Sequence, residues 1–322
     1  MFCEMTPPIG LSIRRVSPDR WTLGSTMICE RIQTSSSKPA DAYISWEDEC
    51  GPFYLRKRTP DDTTTGGNAD IDRVYLAGVS AAVWRIGQCF FKVHAWRNGM
   101  ELECNTIRFV KEKAPEVPVP DVVHSWIDHD INRNFLITKS VSGQTLDQAW
   151  PRLSSSKRAQ IAEDIAQYIA KLALNTSPSF QTINGCGVRE PWLQDRPPKE
   201  HPIWLPRLLG PMSAEDMYTN MMKISKEAPP AVSSVFHFYH ADLGPKNIMV
   251  LEDGKVSGII DWESAAYYPH FWIATKTSLG AFKLECETDN RQLWGQLLGQ
   301  ALERHGYKRL GIKFQKWFEG VA

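Results

Sequence analysis

Residues 239–263 read YHADLGPKNIMVLEDGKVSGIIDWE. Two short apolar runs, 248–251 and 256–260, predict strands joined by Glu252-Asp253-Gly254-Lys255. The Asp-Gly pair marks that join as a hairpin turn. His240, Asp242 and Asn247 stand just before the first strand, and Asp261 and Glu263 just after the second. A hairpin brings its outer ends together, so these side chains are expected to cluster. Two carboxylates and an amide offer oxygen donors, which suit a hard cation such as magnesium.

The order His240-x-Asp242-x-x-x-x-Asn247, with an acid closing a second strand, is the base-and-metal order of phosphoryl transfer by kinases. HADLGPKN together with IIDWE resembles the aminoglycoside phosphotransferase and choline kinase branch of the protein kinase-like fold, and the wording of the whole chain is similar to its fungal members. The likeness spans about residues 70–275. It implies an α+β, bilobal protein kinase-like fold: a small β-rich N-lobe with one main helix and a larger, mostly helical C-lobe. It also implies ATP and Mg2+. Asp242 would act as base towards an acceptor hydroxyl, and Asn247 and Asp261 would hold the metal. His240 would buttress the loop, and Lys246 would add positive charge near the γ-phosphate.

Working outward, residues 71–139 are expected to form the nucleotide lobe. The runs 74–76, 82–86 and 89–93 are β-prone, and Gly87-Gln88 makes a turn between the last two. By the resemblance, Gly78 and Ser80 sit in a turn over the nucleotide phosphates, and Lys92 contacts those phosphates. Lys92 closes an apolar strand, where an ammonium needs a partner. That partner is expected on a helix over 99–113, in which Glu103, Ile107 and Val110 share one face by i, i+4, i+7 spacing and Glu101 does not. The strand at 134–141 leads into the hinge, where backbone groups near Thr138 to Ser140 would hold adenine.

Residues 1–70 read as an extension covering the N-lobe, with short strands at 43–46 and 53–56 and a polar loop at 59–68. Residues 140–322 are expected to form the catalytic and acceptor-binding lobe. Thr145 and Gln148 have capping-box spacing, Ser156 is expected to cap a long amphipathic helix, and Ser213 with Asp216 opens another. The stretch from Gly185 to Asp216 and the residues after Asp261 would choose the acceptor, with Asp216, Trp262 and Glu263 as candidate contacts. Glu215, Asp216 and Glu263 add negative charge there, which favours a cationic acceptor. The aromatics of WESAAYYPHFW otherwise read as core. Two amphipathic helices broken at Gly306 close the chain.

Composition excludes other classes. Lys plus Arg and Asp plus Glu both number 37 in 322 residues, without a basic block, so no nucleic-acid partner is expected. No apolar run is long enough to span a bilayer, so no membrane partner is expected either. MFCEMTPPIG lacks a leader pattern. The seven cysteines are dispersed without a CxxC pair, which reads as reduced thiols in a cytoplasmic protein.

The reading is an ATP- and magnesium-dependent phosphotransferase acting on a hydroxyl of a small-molecule acceptor. Protein kinases carry Lys two positions after the base, where this chain has Gly244, and DFG where it has Asp261-Trp262-Glu263. The alternatives are a nucleotide-binding pseudokinase scaffold, or adenylyl or protein-directed transfer on the same fold.

Overall fold

The computed structural model describes residues 7–32, 41–62, 66–202, 205–286 and 288–321. The first six residues, positions 63–65 of the expected polar loop and residues 203–204 of the expected acceptor segment lie outside the described residues. The chain divides into two compact units. One comprises the described residues within Met1–Asn98, Asp121–Ser140 and Glu200–Pro206; the other, those within Gly99–Pro120, Val141–Lys199 and Arg207–Ala322.

The first unit is built on two five-stranded antiparallel sheets. Strands β1 (Ile13–Ser17), β2 (Arg20–Leu23), β3 (Met27–Arg31), β4 (Ile44–Asp48) and β5 (Gly51–Lys57) make one, in the order β1-β2-β3-β5-β4. Strands β6 (Arg73–Ala77), β7 (Ala81–Ile86), β8 (Cys89–Ala95), β9 (Val122–Asp128) and β10 (Arg133–Lys139) make the other, in the order β6-β7-β8-β10-β9.

Their apolar faces share one core. Trp21, Leu23, Cys29, Phe53 and Leu55 of the first sheet join Trp84, Ile86, Phe91, Val93 and Phe135 of the second. The Trp46 ring stacks on Phe53 at 5.5 Å and also meets Phe91 at 6.0 Å, which links the two sheets. Each large side chain buried in this way contributes about 1.5–3 kcal/mol. Beside the core, Asp62 accepts from Arg56 Nη1 at 2.7 Å and Nη2 at 2.8 Å, and it also pairs with Arg20. That network joins β2 and β5 to the chain beyond β5.

The second unit contains α1 (Glu103–Lys113), α2 (Leu146–Ala149), α3 (Ser155–Leu172), α4 (Ala214–Ile224), α5 (His270–Thr275), α6 (Leu293–Arg304) and α7 (Gly311–Glu319). It also holds two three-stranded sheets. One is β11 (Gln144–Thr145) beside the hairpin of β14 (Ile248–Val250) and β15 (Val256–Ile259). The other sets β13 (Phe236–Tyr239) between β12 (Thr176–Ser177) and β16 (Ala266–Pro269). The expectation of a mostly helical C-lobe is thus corrected to a mixed one.

Helix α1 groups with the second unit. Its Phe109 ring meets Phe238 of β13 edge-on at 4.9 Å. It also starts at Glu103 rather than 99, because Gly99 is left-handed (φ +86°) and Leu102 is extended. On α3 the cap is Ser154, whose hydroxyl accepts the Lys157 N–H, rather than Ser156. The capping boxes at Thr145/Gln148 and Ser213/Asp216 are both formed. The hairpin turn is made at Gly254, with φ +83°.

Candidate active site

The β14–β15 hairpin fixes the loop before it and the turn after it. The Ile260 N–H donates to the Asn247 carbonyl at 2.9 Å, closing the hairpin's outer end. His240 lies fully buried between the two segments. Its Nδ1 is 3.1 Å from the Asp242 N–H and its Nε2 is 3.1 Å from the Ile260 carbonyl. One partner is a donor and the other an acceptor, so the ring is the neutral tautomer protonated on Nε2. It clamps the loop that carries Asp242 to the end of β15. Trp262 packs edge-on against this ring at 4.5 Å.

Two backbone positions depart from ordinary geometry, and they flank this clamp. Ala241 has φ +65° and Asp261 has φ +68°. A non-glycine residue in the left-handed region costs about 1–2 kcal/mol and persists only where the surroundings impose it. Gly244 answers a different need, since a Cβ there would lie 2.5 Å from the Ala281 carbonyl oxygen. The loop is held from below by the Trp294 indole N–H on the Leu243 carbonyl at 2.9 Å and by the Asp147 N–H on the Pro245 carbonyl at 3.0 Å.

Asn247 Nδ2 donates to both the carbonyl (2.9 Å) and the Oδ2 carboxylate oxygen (3.0 Å) of Asp242. These acceptors fix the amide's orientation, so Oδ1 is the edge offered to a cation. This oxygen and the Asp261 carboxylate are both hard donors, and by the chemistry of that donor set they could hold magnesium. The Asp242 carboxyl is pushed up to about 6, chiefly by burial and then by the Asp261 charge. Glu190 and Glu263 push in the same direction, and Lys276 partly offsets them.

The remaining candidates in this unit are accounted for individually. Lys246 is exposed and pairs with Glu285 at 2.6 Å. Asp216 accepts from the Ser213 N–H (3.4 Å) and hydroxyl (2.7 Å) in its capping box. Glu263 pairs with Arg189 at 2.8 Å. Trp262 is completely buried, and its indole N–H donates to the Ile259 carbonyl at 2.8 Å. It is therefore support beneath the loop and not an acceptor contact. The Glu103 carboxylate is buried and accepts the Trp262 backbone N–H at 3.0 Å.

In the first unit, Lys92 sits half-buried on β8 opposite Val83 and Leu136. Gly78 is left-handed (φ +52°), and the Ser80 N–H closes its turn onto the Ala77 carbonyl at 3.1 Å. Thr138 lies in β10 opposite Phe90 and Val122. The Ser140 N–H donates to the Gln88 carbonyl at 2.8 Å.

Arg189, Glu190 and Lys276 escaped the sequence reading. Glu190 is fully buried and accepts from Lys276 Nζ and from the Trp272 indole at 3.1 Å. The available signal was charge in apolar company: Arg189-Glu190 inside GCGVREPW and Lys276 inside FWIATKTS. Tyr239 brings a fully buried hydroxyl with no hydrogen-bond partner among the described residues.

Among solved structures, the chain is similar to a thermostable mutant of aminoglycoside phosphotransferase APH(4)-Ia in its apo form, at 14% identity and TM-score 0.48, covering 76% of this chain and 82% of that one. It is also similar to an aminoglycoside-3'-phosphotransferase of type VIII, at 17% identity and TM-score 0.47, covering 76% and 90% respectively. A third is the streptomycin–ATP–APH(2")-IIa ternary complex, at 15% identity and TM-score 0.42, covering 72% and 76%. No curated protein matches the chain. Residues 44–271 match the model of the phosphotransferase enzyme family, APH. That match covers well over half of the sequence and includes the whole loop–hairpin–turn just described, so the chain belongs to the phosphotransferase enzyme family.

Proposed function

We propose that this protein transfers the γ-phosphoryl group of ATP to a hydroxyl of a small-molecule acceptor. The observation that carries the reading is the Asp242–Asn247 pair: a carboxylate and an amide oxygen held in fixed relation, with Asp261 closing the same hairpin. Asp242 accepts the acceptor's hydroxyl proton as the new O–P bond forms. The bond between the γ-phosphorus and the bridging oxygen breaks, and ADP leaves with that oxygen. Asn247 Oδ1 and the Asp261 carboxylate are the residues that would hold magnesium, which when bound neutralises phosphate charge. Lys92 supplies a cation for the phosphates, and the turn at Gly78 and Ser80 supplies backbone N–H groups. Backbone groups around Thr138 to Ser140 serve the adenine. His240 acts by positioning, because both of its nitrogens are already engaged within the loop.

A value of about 6 for Asp242 supports the role of base. The group is ionised at neutral pH, yet close enough to it to accept a proton efficiently. The test is incubation with γ-labelled ATP, magnesium and pooled hydroxylated metabolites. Label is expected in a small organic product with the parent and not with Asp242→Asn. Equal labelling by both proteins would reject the assignment.

A further inference from the structure

Of the three acids that favoured a cationic acceptor, Glu263 and Asp216 are already neutralised or tied down by groups of the chain itself. Glu263 stands in the turn directly after Asp261. That turn is locked to the base-bearing loop on both sides of Glu263, by the His240–Ile260 contact at 3.1 Å and by the Ser264 hydroxyl on the His240 carbonyl at 3.2 Å. The turn therefore delivers the Glu263 carboxylate to the neighbourhood of Asp242. There it meets Arg189 Nη1 at 2.8 Å, each side chain about three-quarters buried (23% and 25% exposed). Asp216 is occupied by its capping box.

The same balance extends through the 185–216 segment. Glu190 is fully buried against Lys276, and Asp195 carries Arg207. Glu215 remains as an exposed carboxylate on the first turn of α4. A polycationic acceptor gains affinity from clustered, unpaired carboxylates, whereas here Glu190 and Glu263 each meet a cation before any ligand arrives. An amine docking against Glu263 would have to displace Arg189 and leave a guanidinium short of its partner, a loss that direct repulsion increases.

We propose that the acceptor is an uncharged polyhydroxylated molecule, and that Arg189, by neutralising Glu263, is the residue that discriminates against amine-bearing acceptors. This rests on the phosphotransferase reading above and specifies its acceptor class. Arg189 is a specificity residue and takes no part in the transfer of the phosphoryl group.

The experiment compares two acceptor pools with γ-labelled ATP and magnesium: neutral sugars and cyclitols, and their amino-substituted counterparts. The parent should label the neutral pool preferentially. Arg189→Met keeps the aliphatic stem but removes the guanidinium from Glu263, so labelling of the amine pool relative to the neutral pool should rise on the order of tenfold. Arg189→Lys should restore the parent preference. The double variant Arg189→Met/Glu263→Gln should also return to neutral preference, which a merely structural role for Arg189 would not produce. Preferential labelling of the amine pool by the parent overturns the proposal and leaves the phosphotransferase reading intact. So does an equal gain in the single and double variants. Label in neither pool overturns both.

Discussion

Glu103 Oε1 accepts the backbone N–H of Trp262 at 3.0 Å, joining residues 159 positions apart in the sequence. This bond ties the first residue of α1 to the turn that carries Asp261. Glu103→Ala would leave the buried Trp262 N–H without that acceptor, at a cost of about 1–3 kcal/mol. Glu103→Gln keeps an acceptor oxygen and should lose less. Thermal unfolding of both variants beside the parent checks the order, and an Ala variant as stable as the Gln variant would remove the bond from the account.

Asp242→Asn should lower turnover by about two to four orders of magnitude while the protein still binds nucleotide, because the metal-side oxygens remain. The same substitution should change stability in a pH-dependent way. The folded-state value, about 6, lies above the ordinary 3.8, so the native state binds the proton more tightly than the unfolded chain. That contribution is fully present below about pH 3.8 and is lost as pH rises through about 6. In metal-free protein at pH 8 the Asn variant should therefore melt on the order of a few degrees higher than the parent, and at pH 4 the two should coincide. Equal melting temperatures at pH 8 would refute the burial argument.

Asp261→Asn separates charge from backbone geometry. Asparagine tolerates the left-handed region about as well as aspartate, so the φ of +68° should persist. Magnesium-dependent tightening of nucleotide binding should disappear without loss of melting temperature. A titration in which magnesium still tightens binding to this variant would reject Asp261 as a ligand.

Arg56→Met should destabilise the first unit by about 3 kcal/mol, since it leaves the Asp62 carboxylate buried with only part of its cationic shell. Arg56 and its hydrogen bonds hold the Asp62 carboxyl well below the usual range. Its contribution is thus present above the ordinary value of 3.8 and is lost as pH falls below it. Chemical denaturation at pH 7 and pH 3 should show the gap between variant and parent narrowing at the lower pH.

The hairpin, its Asp-Gly turn and the two capping boxes were legible because each depends on residues close to one another in the sequence. The buried face of α1 at Glu103, Ile107 and Val110 was legible for the same reason. Strands β1 to β3 were not. Each has only four or five residues, and the run IRRVS places two arginines where an alternating pattern should show. They are strands because the second sheet supplies an apolar face for Ile13, Trp21 and Cys29 to cover. The pairing of Arg189 with Glu263 and of Glu190 with Lys276 was illegible in principle. Charge partners 74 and 86 positions apart leave no trace in local spacing.

The family match begins at residue 44, the first residue of β4, and that boundary cuts through a sheet. β5 is hydrogen-bonded to β3 on one side and to β4 on the other. A fragment started at the family's edge would keep β4 and β5 as an isolated ribbon with one long raw edge. It would also uncover the tryptophan and phenylalanine faces that β1 to β3 shield. Such an edge invites pairing with a neighbouring chain, and the bared aromatics would reinforce it. The folding unit therefore includes β1 to β3, and a version shortened to the family's edge should be recovered as aggregate rather than as a smaller enzyme.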